Sequence, residues 1–284
     1  MRFDLHAHST ASDGKLSPEE LVDLLKPKNL DLFALTDHDT INGYLKLRQS
    51  NRLGCVKHWV SGVEFSCLAG KQNVHIVALD FDHEHPAIVT LLAQQAKRRE
   101  ARAVEIASKL QKLGLPDLYA DALAIAGSKD SIGRPHFAQA LVAEGHCRTE
   151  QQAFDRWLGS GKKGDVKLFW PSMQEVLSVI KQSGGVSVLA HPLRYKLTFT
   201  KIRELIAQFA EAGGDAVEVV GQQAKPDQLK HLVKVVASHK LAASGGSDFH
   251  NPNWAWAPLG EVASLPEGLP PVWQLFKHTV IEDN

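Results

Sequence analysis

Asp4-Leu5-His6-Ala7-His8-Ser9, followed closely by Asp13, is the stretch that decides how this chain is read. If residues 2–6 are extended, His6 and His8 project to the same side, because side chains along a strand alternate faces. Two imidazoles converging from a strand end suit a divalent metal. One such pair is a weak signal, since a lone histidine is more often a surface or hydrogen-bonded core residue. Here the pattern recurs. Thr36-Asp37-His38-Asp39 follows, then Glu64, His75, Ala190-His191-Pro192 and Ser247-Asp248-Phe249-His250. Each, apart from Asp13, lies at or just beyond an apolar, β-type run. The residues therefore predict a metal site assembled from strand ends, and with it a metal-dependent enzyme.

The intervening sequence supports that scaffold. Phe3–Leu5 reads as a short strand. Ser17-Pro18-Glu19-Glu20 is a helix start, with a cap, a first-turn proline and acids near the positive helix end. That helix should stop or kink near Pro27. Strands are expected at Leu30–Thr36, Val56–Phe65 and Asn73–Phe81, with a helix over about 42–52. From Pro86 to Leu113 the pattern turns helical, and 117–127, 134–144 and 149–158 suggest further helices. No convincing strand falls between 83 and 165. Residues 97–168 thus read as an all-helical insertion, with the glycine- and lysine-rich segment 159–164 as its exit loop. Helices at 172–183, 198–212 and 225–239 then alternate with strands at 185–190, 216–220 and 241–244. Repeated strand–helix units imply an α/β fold with a parallel sheet and right-handed crossovers, formed by residues 1–96 and 169–284. The candidate ligands would gather at the C-terminal strand ends, where barrel active sites lie.

Composition narrows the class. A chain of 284 residues with 44% apolar content can bury a sizeable core. Its formal net charge is zero, which argues against a non-specific nucleic-acid binder held by a global basic field. The three cysteines (Cys55, Cys67, Cys147) form no CxxC pair and fit a reducing compartment. No apolar run has the length of a signal peptide's core at the N-terminus or of a membrane span anywhere, so a cytoplasmic location is expected.

The candidate ligands are His6, His8, Asp13, His38, Glu64, His75, His191, Asp248 and His250. One zinc takes about four ligands, so this many donors suits two or three ions. Imidazole and carboxylate ligation without sulfur allows Mn, Fe, Zn or Mg. A carboxylate such as Glu64 can bridge two ions. Closely spaced ions can share a hydroxide and clamp the oxygens of a phosphate ester.

At these residues the chain resembles the PHP family, named for polymerase and histidinol phosphatase. The matching motifs are His6-Ala7-His8-Ser9 with Asp13, Thr36-Asp37-His38-Asp39, Gly62-Val63-Glu64-Phe65, His75, Ala190-His191-Pro192 and Gly246-Ser247-Asp248-Phe249-His250. The resemblance implies a distorted (β/α)7 barrel with a two- or three-metal centre, most often of Mn, Zn or Fe. It assigns His6, His8, Glu64 and Asp248 to one ion. Glu64, His75 and His191 would hold a second, and Asp13, His38 and His250 a third. Catalytic work would fall to Glu64, Asp248 and His191. Within the helical segment, Ser131-Ile132-Gly133-Arg134-Pro135-His136-Phe137-Ala138 is similar to the Gly-Arg-Pro-His segment of one subgroup. That subgroup cleaves nucleoside 3′,5′-bisphosphates and includes 5′-to-3′ exoribonucleases acting on short RNAs. Pro27 and the stretch 164–169 depart from the subgroup pattern, and the second adjoins the expected substrate rim.

The implied reaction is removal of a 3′-phosphate by in-line attack of a metal-bridged hydroxide, with Mn as the first candidate ion. Arg134 and Arg194 are the best phosphate-binding candidates, since a guanidinium grips phosphate bidentately. Lys162, Ser12 and His136 are further candidates for substrate contact, and Asp37 for orienting His38. The helical segment would act as a lid sensing a 5′-phosphate. The expected partner is a nucleotide or short oligonucleotide, with no membrane and no obligate protein partner. Rival readings are a histidinol-phosphate or other small-molecule phosphatase, a non-catalytic metal-binding protein, and a hydrolase of C–N bonds. The last usually brings a bridging carboxylated lysine, a place that Glu64 takes here. Trp254, Trp256 and Trp273 could pack internally or form an interface.

Overall fold

A computed structural model describes residues 1–50, 53–166, 170–221 and 225–279. The first capping signal is realised as read. Ser17 accepts from the Glu20 N–H at 3.2 Å, and the Glu20 carboxylate accepts from the Ser17 N–H at 2.7 Å. Helix α1 (Pro18–Leu25) then buries Leu21, Val22 and Leu25, and Pro27 converts its end into a 3-10 turn.

Two sheets carry the site. The first holds β1 (Phe3–Asp4), β2 (Leu30–Ala34) and β3 (Val56–Val60), all parallel, with α2 (Asn42–Gln49) between the last two in sequence. The second runs β4 (Gly62–Ala69), β5 (Gln72–Leu79), β6 (Val186–Leu189), β7 (Ala216–Val220) and β8 (Ala242–Gly245) in that order. Between its strands come α7 (Met173–Gln182), α8 (Phe199–Glu211) and α9 (Pro226–Ser238). Ser172 and Thr198 cap α7 and α8.

Three expectations change. The single strand expected over 56–65 is two strands in different sheets, broken at Ser61. Ser61 is drawn off by bonds to the next turn, its Oγ donating to the Phe81 carbonyl at 2.8 Å. Nor is the sheet wholly parallel. β4 and β5 form an antiparallel hairpin turning at Gly70, whose φ of +60° favours glycine, and β5 pairs antiparallel with β6. Finally, the strands do not close into a barrel. The two sheets meet through isolated bridges, Ala7 with Phe249 and His38 with Glu64, supplemented by bonds such as Leu5 N–H to the Gly245 carbonyl at 3.2 Å. Those junctions lie among the candidate ligands.

Between β5 and α7 the described residues form helices: α3 (Pro86–Lys112), α4 (Tyr119–Ala126), α5 (Arg134–Ala143) and α6 (Glu150–Ala153), the last continuing as a π-helical turn through Leu158. α3 is continuous through residue 97. Ile88 and Leu91 on it join the main core, whereas Ile106 and Leu110 join a second cluster with Phe137, Leu141 and Leu158. Polar ties fasten this second cluster to the sheets. Arg99 of α3 forms a buried two-pronged ion pair with Asp39 at 2.6 and 2.8 Å, and Gln95 donates to the same carboxylate at 2.7 Å. Lys15 meets Glu150 at 2.9 Å. Of the stretch 164–169, residues 167–169 lie outside the described residues, as do 51–52 of the expected helix over 42–52. Cys55, Cys67 and Cys147 are free thiols. Among the described residues, no helix is long and apolar enough to cross a membrane.

Candidate metal centre

The bend after each short strand brings distant residues onto one carboxylate. Glu64, fully buried within β4, is the hub. Its Oε2 lies 2.9 Å from His38 Nδ1, 3.2 Å from His6 Nε2 and 3.3 Å from His8 Nε2. Its Oε1 lies 2.9 Å from His75 Nδ1 and 3.0 Å from His191 Nε2. Asp248 Oδ1 is 3.2 Å from His8 Nε2 and 3.4 Å from His250 Nδ1. Asp13 closes the far side, 3.3 Å from His250 Nε2 and 3.8 Å from His38 Nε2. Every candidate ligand is thus brought into one cluster. Glu64 and His75 differ from the others in lying inside their strands; the antiparallel hairpin presents them from mid-strand.

Four subsets have donor atoms within 4.8 Å of one another: His8, Asp13, His38 and His250; His6, His8 and Asp248; His6, Glu64 and His191; and His38, Glu64 and His75. The partition resembles the expected one, with His191 falling beside His6 and His75 beside His38. Glu64 is common to two subsets, as a bridging ligand would be.

The donor set fits divalent cations. His38 Nδ1 and Glu64 Oε2, 2.9 Å apart, are both buried without a hydrogen-bond partner, although imidazole nitrogens surround the oxygen. Buried polar atoms without partners are costly unless something else satisfies them. Nitrogen and oxygen donors converging out of hydrogen-bond alignment are matched by a cation. Electrostatics agree. Burial alone would raise Glu64, but His38, His6 and His75 hold it well below the ordinary carboxylate range. Asp13 and Asp248 are likewise held down against burial, by His250 and His38 and by His6 and His250 respectively. The carboxylates are therefore already anionic.

Backbone and neighbours fix these ligands. His191 (φ 31°) and Asp248 (φ 50°) occupy the left-handed region, which costs a non-glycine residue of order 1 kcal/mol or more. Glu218 of β7 compensates at the first. Its Oε1 lies 2.6 Å from His6 Nδ1, and its Oε2 accepts the His191 N–H at 2.7 Å. One carboxylate thus orients two candidate ligands from different strands, leaving His6 Nε2 facing the cluster. Tyr195 Oη accepts the His75 N–H at 2.9 Å. The sequence reading missed both residues. The signal for Glu218 was available: an acid inside the apolar run Ala216-Val217-Glu218-Val219-Val220 breaks the pattern of a buried strand.

The cluster floors a cavity of about 810 Å³. Arg134 and Arg194 line it with His38, His75, Trp254 and Trp256. Arg134 opens α5, donating toward the Leu158 carbonyl at 3.4 Å with Asp165 at 4.0 Å. Arg99 and Arg102 each lie 5.6 Å from the Trp170 ring centroid. Burial, with Arg134 and Arg99 nearby, pushes Arg102 down to about 9. Arg194 pairs with Asp248.

The other candidates lie elsewhere. Ser12 is buried and donates to Asp37 at 2.7 Å. His136 is buried, its Nδ1 accepting the Gly133 N–H at 3.0 Å. Lys162 is exposed and outside the cavity lining. Asp37 does not orient His38; it accepts from the Ser9 N–H and Oγ at 2.7 and 2.8 Å and so braces the loop leading to Asp13.

Comparison with known proteins identifies the family. The chain is 40% identical over 275 residues to a 5′-3′ exoribonuclease of Haemophilus influenzae, covering 97% of this chain and 99% of that one. It is 34% identical over 279 residues to a 3′,5′-nucleoside bisphosphate phosphatase of Chromobacterium violaceum, covering 98% of each. A solved Chromobacterium violaceum structure, described as an amidohydrolase with bound sulfate and no metal, superposes with a TM-score of 0.89 at 33% identity, covering 99% of this chain and 98% of that one. The PHP domain itself matches residues 4–214. With the ligand pattern, the buried hub carboxylate and this match together, the chain belongs to the PHP domain family.

Proposed function

We propose that this protein is a metal-dependent phosphoesterase that breaks the P–O3′ bond of a nucleotide carrying a 5′-phosphate. It removes the 3′-phosphate from nucleoside 3′,5′-bisphosphates and releases 5′-nucleotides from short oligoribonucleotides. The observation that carries the reading is the convergence on Glu64 of five imidazoles, those of His6, His8, His38, His75 and His191, with Glu64 Oε2 buried and unpartnered. Relatives along nearly the whole chain are named for both activities.

His6, His8, Glu64 and Asp248, Glu64 with His75 and His191, and Asp13 with His38 and His250 would hold the ions, with Mn the first choice. When bound, divalent ions supply charge for the phosphoryl oxygens and lower the pKa of water. The residues do the rest. Glu64, Asp248 and His191 keep the anionic and neutral donors in place. Arg194, at the edge of the cluster, neutralises charge developing on the phosphoryl oxygens. The attacking water oxygen joins phosphorus, the P–O3′ bond breaks, and O3′ takes a proton to become the ribose 3′-hydroxyl.

The helical segment 97–168 serves as the lid. Arg134 binds the 5′-phosphate at a distance from the scissile group. Remote binding of that kind orients the reacting phosphate. The decisive test is release of inorganic phosphate from adenosine 3′,5′-bisphosphate with Mn, set against 5′-AMP, 3′-AMP and histidinol phosphate. Rapid release from the bisphosphate, leaving 5′-AMP and lost on chelation, is the expected result. Preference for histidinol phosphate, or metal binding without turnover of any of the four, would overturn it.

A further inference from the structure

Two exposed tryptophans stand on the rim of the cavity. The loop after β8 brings the Trp254 and Trp256 rings to a centroid separation of 5.0 Å at 20°, a stacked pair. They remain 38% and 37% exposed, and neither belongs to the apolar core clusters. Both line the cavity above the cluster. The Trp254 ring lies 6.0 Å from that of His250, and the Arg194 guanidinium lies 5.4 Å from the Trp256 centroid. An aromatic strip therefore runs from a candidate metal ligand to a cation that faces the cluster. Trp273 is different: it packs on Phe3 at 5.0 Å, half-buried against the main core.

Large apolar rings left on a site rim mark a binding surface. Their neighbours specify the ligand. Flat rings beside a guanidinium and a phosphate-handling centre match a nucleobase followed by its backbone. A nucleoside bisphosphate has two phosphates, and the ions and Arg134 account for both. The tryptophan pair comes from another loop and is surplus to those needs. We propose that Trp254 and Trp256 form the platform for the base of the nucleotide that follows the scissile phosphate. They thereby favour short oligonucleotides over mononucleotides. This rests on the phosphoesterase reading above and adds the residues that select between its two substrates.

The test compares adenosine 3′,5′-bisphosphate with the 5′-phosphorylated dinucleotide pApA, following 5′-AMP release from each. Both substrates expose the same P–O3′ bond. In W254A/W256A the ratio of kcat/KM for pApA to that for the bisphosphate should fall roughly 10-fold or more, mainly through KM, as expected for a lost stacking contact. W254F/W256F should restore most of the ratio. Tryptophan fluorescence of the chelated wild-type protein should be quenched by pApA at lower concentration than by the bisphosphate. An unchanged ratio in the alanine variant would refute the platform, whether both activities persist or both fall together. Turnover of the bisphosphate but not of pApA by the wild-type protein would also refute it, and with it the oligonucleotide half of the proposed function, while leaving the bisphosphate phosphatase half intact. Turnover of neither would sink that reading first.

Discussion

Glu218 offers the sharpest test of how the cluster is organised. Its two oxygens meet two donors, His6 Nδ1 at 2.6 Å and the His191 N–H at 2.7 Å. Hydrogen bonds to a charged group contribute about 1.5–3 kcal/mol each, and a buried donor left unsatisfied costs about 1–3 kcal/mol. Glu218→Ala removes both bonds at once. It also releases the His191 backbone from its left-handed φ of 31°. The His6 ring then loses the partner that fixes its tautomer. Loss of such an outer carboxylate typically weakens metal binding about 10–100-fold. Glu218→Gln keeps the shape but has one acceptor oxygen for two donors, and its amide N–H₂ must face the other. It should therefore bind metal almost as poorly as the alanine variant while unfolding closer to the wild type. The assay is calorimetric titration of chelator-stripped protein with Mn, alongside thermal unfolding in chelator. A Glu218→Gln protein that binds every ion within about twofold of wild type would refute the reasoning.

Other outcomes follow from the same geometry. Metal binding should tighten as pH rises. Burial opposes charge on His6 and His8, yet Glu218 and Glu64 hold His6 well above its usual value, and hydrogen bonds to Asp248 and Glu64 push His8 to about 10. Those protons must leave, whereas His38, lowered by burial to about 4, has none to give. Buffer-dependent calorimetric enthalpies would report the release, and affinity flat over about pH 6–9 would contradict it. Arg99→Ala should cost about 3–5 kcal/mol in denaturant unfolding, because it strands the fully buried Asp39 charge; a loss below about 1 kcal/mol would mean the pair contributes little. Arg134→Ala should lower kcat/KM for adenosine 3′,5′-bisphosphate about 10–100-fold while sparing 3′-AMP, which lacks the 5′-phosphate. Equal losses on both substrates would remove Arg134 from 5′-phosphate recognition.

Local sequence signals carried the reading where chemistry and periodicity are short-ranged. The alternation that aligns His6 with His8, the Ser17–Glu20 capping box, the Pro27 stop and the 3.6-residue spacing of α7, α8 and α9 each involve neighbours in the chain. The candidate donors stood out for the same reason: histidines and acids after apolar runs are conspicuous one at a time. What only the tertiary structure decided is which of them meet. Glu64 as hub depends on the register of an antiparallel hairpin, and although the short gap after residue 65 leaves room only for such a turn, nothing local says which residues it sets opposite one another. Ser12 and His136 stand out in the sequence as candidates for substrate contact, and only packing shows that Ser12 donates to Asp37 and that His136 accepts the Gly133 N–H. Glu218 and His6 are 212 residues apart, and no local rule selects one acid as the partner of one imidazole over that separation. The sequence determined the elements and the donor chemistry, because both are set by residue type and near neighbours. The fold decided the pairings, the rim tryptophans and the second cluster of buried helices, because burial and long-range contact exist only once the chain has packed.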